Sequence, residues 1–388
     1  MHIALLADGY PSQGRPSFVF VQQLVHAMLK QGVKVTVVAP QSLTHSLIHK
    51  QGLLPKKSKV KLENDIEYDV YRPYCISFGN NGKKLANLVK WYNQNNIDRA
   101  LQSIAPTVLY GHFWHNGNML TKYAIRNKTP LFVACGEGDD AMENLVASLS
   151  EESISRLKRT VKGVISVSSE NKRKCINYGL SDSDNVVVLP NCADDDLFHP
   201  AEEEKRKEIR SKIGLKKDDF FILFVGGFVP RKGANRVSSA IELLDDANIK
   251  SAFIGKSYGI KEAEPYGKGV IFQGTLDHDA VPDYYQASDV FVLPTLNEGC
   301  SNAIIEALAS GVPVISSNRP FNADILNSHN SIQVNPESVE ELRIAILAMV
   351  QDKSMYNSLK QYAVLHSSCF SIKERAKKII DFINEQLR

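Results

Sequence analysis

The chain opens on an apolar run of strand length, HIALLA, then a glycine-bearing loop, an amphipathic segment and a second apolar run, VKVTVVAP. Runs this short and uniformly apolar suit strands buried on both faces. The segment between them carries Val21, Leu24, Val25, Met28 and Leu29 at helical spacing, which predicts a helix from about 18 to 30, with Gly32 placed to cap its C-terminus. That is a βαβ unit. Such units build a parallel sheet with helices on both faces, and ligands gather where the strands end at their carboxyl side.

The pattern persists. TVLYGH, LFVACG, GVISVS and VVVLPN follow, each ending in glycine, serine, histidine or asparagine, as strand tips facing a ligand would. After PNCADDDLFHP comes the charged stretch AEEEKRKEIRSK, and then the alternation restarts with FFILFVGGF, SAFIGK, GVIFQG, VFVLPT, VPVISS and SIQV, interleaved with helical stretches such as NRVSSAIELL. A length of 388 residues suits two domains of ordinary size. The predicted fold class is therefore α/β with two open sheets, a first domain over 1–198 and a second over 199–370. The tail from Ser371 carries a capping box with Glu374, followed by Ala376, Ile379, Ile380, Ile383 and Leu387 on one helical face, and needs an apolar surface to pack on.

Composition narrows the function classes. A hydrophobic fraction of 43% with 23% charged residues describes a globular chain. The net charge of +3 is too small for a nucleic-acid binder. IALLA is too short for a signal peptide or a spanning helix, so the reading is a cytoplasmic protein that starts at Met1. The 6 cysteines have no paired spacing and indicate neither a zinc site nor disulfides.

The chemistry concentrates in two places. In LNEGCSNAIIEALASGVPVISSN, Leu296 to Asn318, a predicted strand leads through Glu298 into a Gly-Cys-Ser-Asn turn, and a helix begins near Ser301 or Asn302. The unpartnered amides of Gly299, Cys300, Ser301 and Asn302 at such a helix start can hold a phosphate. Glu306, on that helix, has two equal readings: a carboxylate accepting bonds from a vicinal diol such as ribose, or a charge complementing the helix dipole. Glu298 directly follows an apolar strand and favours a functional role over a surface one. In FVGGFVPRKG, a buried strand opens through Gly226 and Gly227 into Arg231 and Lys232, a fork and a point charge suited to a diphosphate, or else a solvated basic turn.

These motifs resemble the retaining glycosyltransferases of family 4, the group 1 glycosyltransferases. The resemblance runs along nearly the whole chain: GYPSQG, APTVLYGHFWH, VISVSSENKRKCINYG, VVVLPNCADDDLFHP, FVGGFVPRKG and the Glu298-to-Glu306 motif with its Gly-x-Pro-Val ending. It implies the GT-B architecture, two Rossmann-like domains facing across a cleft with a C-terminal helix crossing back to the first. It implies transfer of a sugar from a nucleotide-diphosphate donor, without metal or cofactor, to a glycan or lipid-linked acceptor. By the same resemblance Glu306 binds the ribose, Glu298 contacts the sugar, and Lys232 neutralises the leaving diphosphate. Gly14 lies in the loop near donor phosphate and acceptor, with Arg15 beside it. Three departures stand out: Gly227 where the family often has arginine, leaving Arg231 as second cation; Cys192 in NCAD where glycine is common; and Glu137 in ACGEGDD where many members carry a histidine near the donor sugar. Glu137 is accordingly expected to contact the donor sugar or to stabilise positive charge developing at the anomeric carbon, with Asp139 beside it facing the cleft. His112 and His115 in GHFWHNG are candidates for the acceptor side.

Two rivals stay open: a sugar-nucleotide epimerase of the same architecture, and a protein that binds nucleotide sugars or glycans without turnover. A dinucleotide dehydrogenase is disfavoured, because no G-x-G-x-x-G follows the first strand. LLPKKSKVKL, Leu53 to Leu62, reads as an exposed connection. With Lys83, Lys84, Lys90 and Trp91 it offers either a solvated loop or a contact for the inner face of an anionic membrane.

Overall fold

The computed structural model describes residues 1–12, 17–48, 50–62, 65–77 and 86–388. Lys83 and Lys84, like Gly14 and Arg15, lie outside them. Contacts divide the chain into two compact units, one of residues 1–167, 171–189 and 376–388, the other of residues 168–170 and 190–375.

The first unit contains β1 (His2–Leu6), β2 (Lys34–Val38), β3 (Gln41–Ser42), β4 (Lys57–Lys61), β5 (Glu67–Tyr71), β6 (Tyr74–Cys75), β7 (Val108–His112), β8 (Leu131–Cys135), β9 (Val161–Ser166) and β10 (Val186–Val188). Eight of them form one sheet in the order β10-β9-β8-β7-β1-β2-β5-β4, and β3 pairs with β6 in a small sheet. All ladders of the large sheet are parallel except the last, β4 against β5. The first helix, Val19–Lys30, buries Val21, Leu24, Val25, Met28 and Leu29, and Gly32 follows it at φ 81°, a conformation that favours glycine.

The lysine run differs from its sequence reading. It is an edge strand rather than a loop, because Ser58 and Val60 alternate with the lysines and pair with Val70 and Tyr68. Lysines on an outer strand deter edge-to-edge pairing. Here they also meet acids: Lys57 with Asp69 at 3.0 Å, Lys59 with Glu67 at 3.4 Å and Lys61 with Asp65 at 2.6 Å. Lys56 instead lies over the Tyr74 ring, 4.6 Å from its centroid.

The tail helix, Ile372–Gln386, finds its apolar surface on the first unit. Ala376, Ile379 and Ile383 are wholly buried, and Phe382 meets Phe132 edge to face at 6.2 Å. A Cβ on Gly163 would come within 2.8 Å of Phe382 and 2.9 Å of Phe132, so that strand position has to be glycine. Ser371 accepts from the Glu374 amide at 3.3 Å, one arm of the capping box, whereas its own amide donates to the Ser368 carbonyl at 3.2 Å. Leu387 falls beyond the helix and is exposed.

The second unit holds β11 (Phe220–Val225), β12 (Ile249–Ile254), β13 (Val270–Gly274), β14 (Val290–Leu293), β15 (Val314–Ser317) and β16 (Ser331–Val334), all parallel, in the order β13-β12-β11-β14-β15-β16. Every residue of β14 and β15 is buried, as a sheet covered on both faces requires. The order reverses between β11 and β14, and both predicted donor-side motifs begin at the carboxyl ends of those two strands.

Candidate functional site

In the second unit, β11 runs out through Gly226 and Gly227 into the turn that carries Arg231 and Lys232. The backbone of this turn crowds the neighbouring strand end: a Cβ on Gly255, just past β12, would lie 1.9 Å from the Gly226 carbonyl oxygen, and one on Gly227 would meet the Tyr258 ring at 3.0 Å. The next helix, Ala234–Glu242, starts from Gly233 at φ 79°. The Leu296 amide donates to the Arg231 carbonyl at 2.8 Å and fastens this turn to the loop after β14.

That fastening brings three predicted residues together. Lys232 is ion-paired with Glu298, both side chains nearly buried, and Arg231 reaches the same carboxylate at 3.2 Å while donating to the Asn297 carbonyl at 3.0 Å. Thr295 adds a hydroxyl at 3.0 Å. Without a ligand, then, Glu298 is satisfied by the two cations that were expected to meet a diphosphate.

The following helix is Asn302–Ala309 with Ser301 as its N-cap residue, matching the predicted start, although the Ser301 side chain makes no capping bond. Asn191 does the local fastening: its amide donates to the Cys300 carbonyl at 3.1 Å and to the Asn302 side chain at 2.8 Å. Sequence reasoning passed over Asn191, although it stands in the NCAD motif. Burial pushes the Cys300 thiol up to about 12 and that of Cys192 up to about 11, so both are neutral packing groups. Glu306 lies in the second helical turn rather than the first. It is half-buried, and burial lifts its carboxyl to about 7 against the pull of the Tyr285 hydroxyl, which sits at 2.9 Å. The same hydroxyl lies 3.1 Å from the Ala303 carbonyl, so Tyr285 holds both the turn and the carboxylate.

In the first unit, β7 ends at His112, and Phe113, at φ 81°, turns the chain into the helix Trp114–Asn127. Gly111 lets that helix lie close, since a Cβ there would stand 2.6 Å from the Gly117 amide nitrogen. Glu137, just past β8, reaches this helix start: one carboxylate oxygen accepts from the Trp114 amide and the other from the Gly136 amide at 3.0 Å. Burial raises its pKa to about 7, opposed by those amides and by His115. Asp8, after β1, bonds His115 at 2.5 Å and accepts from Asn116 at 3.2 Å. Burial presses the His115 imidazole down, but the bond to Asp8, its charge and that of Glu137 together leave it above its ordinary value. Asp8 was not singled out in the sequence; its only signal is its place at the tip of the first strand. His112 is buried and stacks obliquely on Phe20 and Phe113, at 5.4 and 4.5 Å. Asp139 opens the helix Asp139–Ala147.

Two Rossmann-like units, with cations and carboxylates at the strand ends, define the GT-B class of glycosyltransferase folds. A solved GT-B structure, Anabaena Alr3699/HepE in complex with UDP and glucose, superposes with a TM-score of 0.73 at 15% identity, over 98% of this chain and 99% of that one. Residues 205–366, within the second unit, match the model of the family described as glycosyl transferases group 1. A relative named for teichuronic acid biosynthesis, the glycosyltransferase TuaC of Bacillus subtilis, is 28% identical over 359 residues, 89% of this chain and 88% of that protein. The UDP-Gal:alpha-D-GlcNAc-diphosphoundecaprenol alpha-1,3-galactosyltransferase of Escherichia coli is 27% identical over a shorter stretch, 56% of this chain and 59% of its own length. Among the described residues no helix is long and apolar enough to cross a membrane.

Proposed function

We propose that this chain moves a sugar from a nucleotide-diphosphate donor to a glycan or lipid-linked acceptor, with retention at the anomeric carbon and without a metal ion. The observation that carries the reading is the Arg231–Lys232–Glu298 cluster beside a helix start, at the reversal point of the second sheet. A diphosphate entering there competes for Lys232, whose ammonium has three donors, and the amides from Gly299 to Asn302 take its remaining oxygens. As the glycosidic bond breaks, negative charge grows on the leaving diphosphate, and Lys232 with Arg231 stabilises it in place of a divalent cation. Glu298, released from its cations, meets the sugar hydroxyls, while Glu306 accepts from the ribose. The relative in E. coli is named for a UDP-sugar donor and a lipid diphosphate acceptor, and the Anabaena structure holds UDP and glucose, which supports this donor and acceptor chemistry.

On the first unit, His112, His115 and the Gly14–Arg15 loop belong to the acceptor in this reading. Peripheral contact with an anionic membrane, in the same reading, uses Lys56, Lys57, Lys59, Lys61 and Lys90 with Leu53 and Trp91, beside Leu47 and Ile48, which project from the short helix Leu43–Ile48 with 79% and 74% of their surface exposed. Salt-sensitive co-sedimentation with anionic vesicles tests that contact.

The deciding experiment is Lys232→Ala after a thermal-shift panel has identified the donor. Turnover should fall about 100- to 1000-fold with little change in KM, the loss expected when a donor to developing charge is removed. Arg231→Ala should lose less, since it is half exposed. A rise in KM at unchanged kcat assigns Lys232 to ground-state binding and ends this mechanism.

A further inference from the structure

The second unit has a cavity of about 510 Å³ at the opposite end of its strands from the cluster just described. It lies between the last turn of the helix Ala234–Glu242, the first residues of β12, and the segment Tyr266–Val270 that leads into β13. Six-residue strands separate the two ends by roughly 20 Å, so the two sites are independent.

Its wall includes an aromatic plate. Tyr266 keeps 45% of its surface exposed, yet both its ends are fixed: its hydroxyl meets Ser239 Oγ at 2.7 Å and its amide donates to Ser238 Oγ at 2.9 Å. A large exposed ring held in one orientation is a pre-organised contact surface, with no rotamer freedom left to lose on binding. The rim carries Glu242, Asp245 and Asp246, none of which has an ion pair among the described residues; Asp246 accepts from the Asn248 amide at 2.9 Å. Of the neighbouring cations, Lys250 points its ammonium at the Ala247 carbonyl, 2.5 Å away, and Lys268 is left at the edge. Behind them Ser251, 1% exposed, lines the cavity and has a hydroxyl without a hydrogen-bond partner among the described residues. A buried hydroxyl left unpaired carries a cost that a ligand hydroxyl would remove.

We propose that this cavity is a second binding site, for an uncharged sugar ring with vicinal hydroxyls. The apolar C–H face of a pyranose packs on the negative face of the Tyr266 ring. Its hydroxyls donate to the Glu242, Asp245 and Asp246 carboxylates, which makes charge-assisted bonds. Among the described residues three carboxylates face one free ammonium, a balance that turns away phosphates and anionic sugars, and the polar rim turns away purely apolar ligands. The site needs no transferase activity and is read by binding alone.

The test is an amide NMR titration of the full chain with the methyl α-glycosides of glucose, galactose and N-acetylglucosamine as probes. At least one should give saturable shifts at Tyr266, Gly267, Gly269 and Val270, with a Kd on the order of 1 mM, usual for a single ring. Tyr266→Phe retains them with a weaker Kd, because the ring remains but loses the bond to Ser239 that fixes it. Tyr266→Ala abolishes them, and Asp245→Asn with Asp246→Asn weakens them about tenfold while the rest of the spectrum stays in place. Saturating UDP leaves the shifts unchanged. No saturable shift with any probe, shifts that survive Tyr266→Ala, or displacement by UDP each overturns the proposal. Should Tyr266→Ala fail to fold, the double asparagine variant decides. Because no step uses donor turnover, failure here leaves the transferase reading standing, and the reverse holds as well.

Discussion

Two carboxyls, the buried Glu137 in the first unit and the half-buried Glu306 in the second, are both lifted to about 7 by burial, yet their partners differ in kind. Glu137 uses both oxygens on backbone amides, those of Trp114 and Gly136, and its own carbonyl accepts from Asn171 at 3.0 Å. Glu306 has a side-chain hydroxyl on one oxygen. The first carboxylate is occupied by the fold: it caps the helix Trp114–Asn127 and stitches the ends of β7 and β8 together. The second accepts a side-chain hydroxyl at one oxygen, and the proposed function gives its other oxygen to the donor ribose. A raised pKa in a strand-end cluster marks both, so their partners are what distinguish them.

The largest effect that can break this comparison is on stability. Glu137→Ala removes the acceptor of two amides at a helix start and opens a buried hole, which should cost about 3 kcal/mol in urea denaturation. If Glu137→Ala denatures like the parent chain, Glu137 is not a structural cap, and the role expected of it from the sequence, contact with the donor sugar, regains its claim. Activity alone does not separate the two, since a displaced helix would also move His115.

Next comes the pH dependence. An acid whose folded-state pKa is raised, from 4.5 to about 7 for Glu306, binds more protons folded than unfolded in that interval. Stability therefore falls as pH rises from 4.5 to 7 and levels off above it. Glu306→Gln cannot titrate, so the variant should gain on the parent by roughly 2 kcal/mol between those limits, well below the full shift because the residue keeps some exposure. Parallel stability curves for parent and variant would show that burial costs Glu306 nothing.

The strand alternation that makes both units was legible because a parallel sheet covered on both faces imposes the same local pattern on every strand: a short apolar run, then a polar tip. The segment Lys56–Lys61 was not, since an outer antiparallel strand alternates polar and half-buried residues and is hard to tell from a charged loop. Within the sites, Glu298, Arg231 and Lys232 were legible as a set, because each follows a buried strand. Their pairing with one another was not, because it depends on the Leu296–Arg231 backbone bond joining two loops about 65 residues apart. Asp8, Asn191 and Tyr285 were missed for the same reason. Each acts on a partner distant in the chain, and none stands in a pattern that spacing can reveal.

The two carboxyls should also differ in nucleotide binding. Glu306→Ala should weaken the free nucleoside diphosphate about tenfold by calorimetry, the loss of one charge-assisted contact, while Glu137→Gln leaves that affinity unchanged. Equal affinities for parent and Glu306→Ala would mean that the open oxygen of Glu306 meets no ribose.

The smallest effect falls on Tyr285, whose hydroxyl meets the Glu306 carboxylate. Its hydroxyl lies 2.9 Å from the carboxylate and 3.1 Å from the Ala303 carbonyl, and its ring is fully buried against Phe198 and Phe291, each 5.6 Å away. Tyr285→Phe keeps the ring and its packing and deletes the hydroxyl, so the stability cost should be about 1 kcal/mol, the net worth of one ordinary hydrogen bond. The hydroxyl lowers the Glu306 constant, and without it the carboxyl should titrate higher still. At pH 7 more of the variant then carries a protonated Glu306, a poorer acceptor for ribose hydroxyls. Nucleotide affinity should drop about twofold at pH 7 and recover at pH 8.5, where the carboxyl is ionised in both proteins. A loss that is the same at both pH values would mean that Tyr285 aims Glu306 rather than tuning its charge, and an unchanged affinity at both would mean that it does neither.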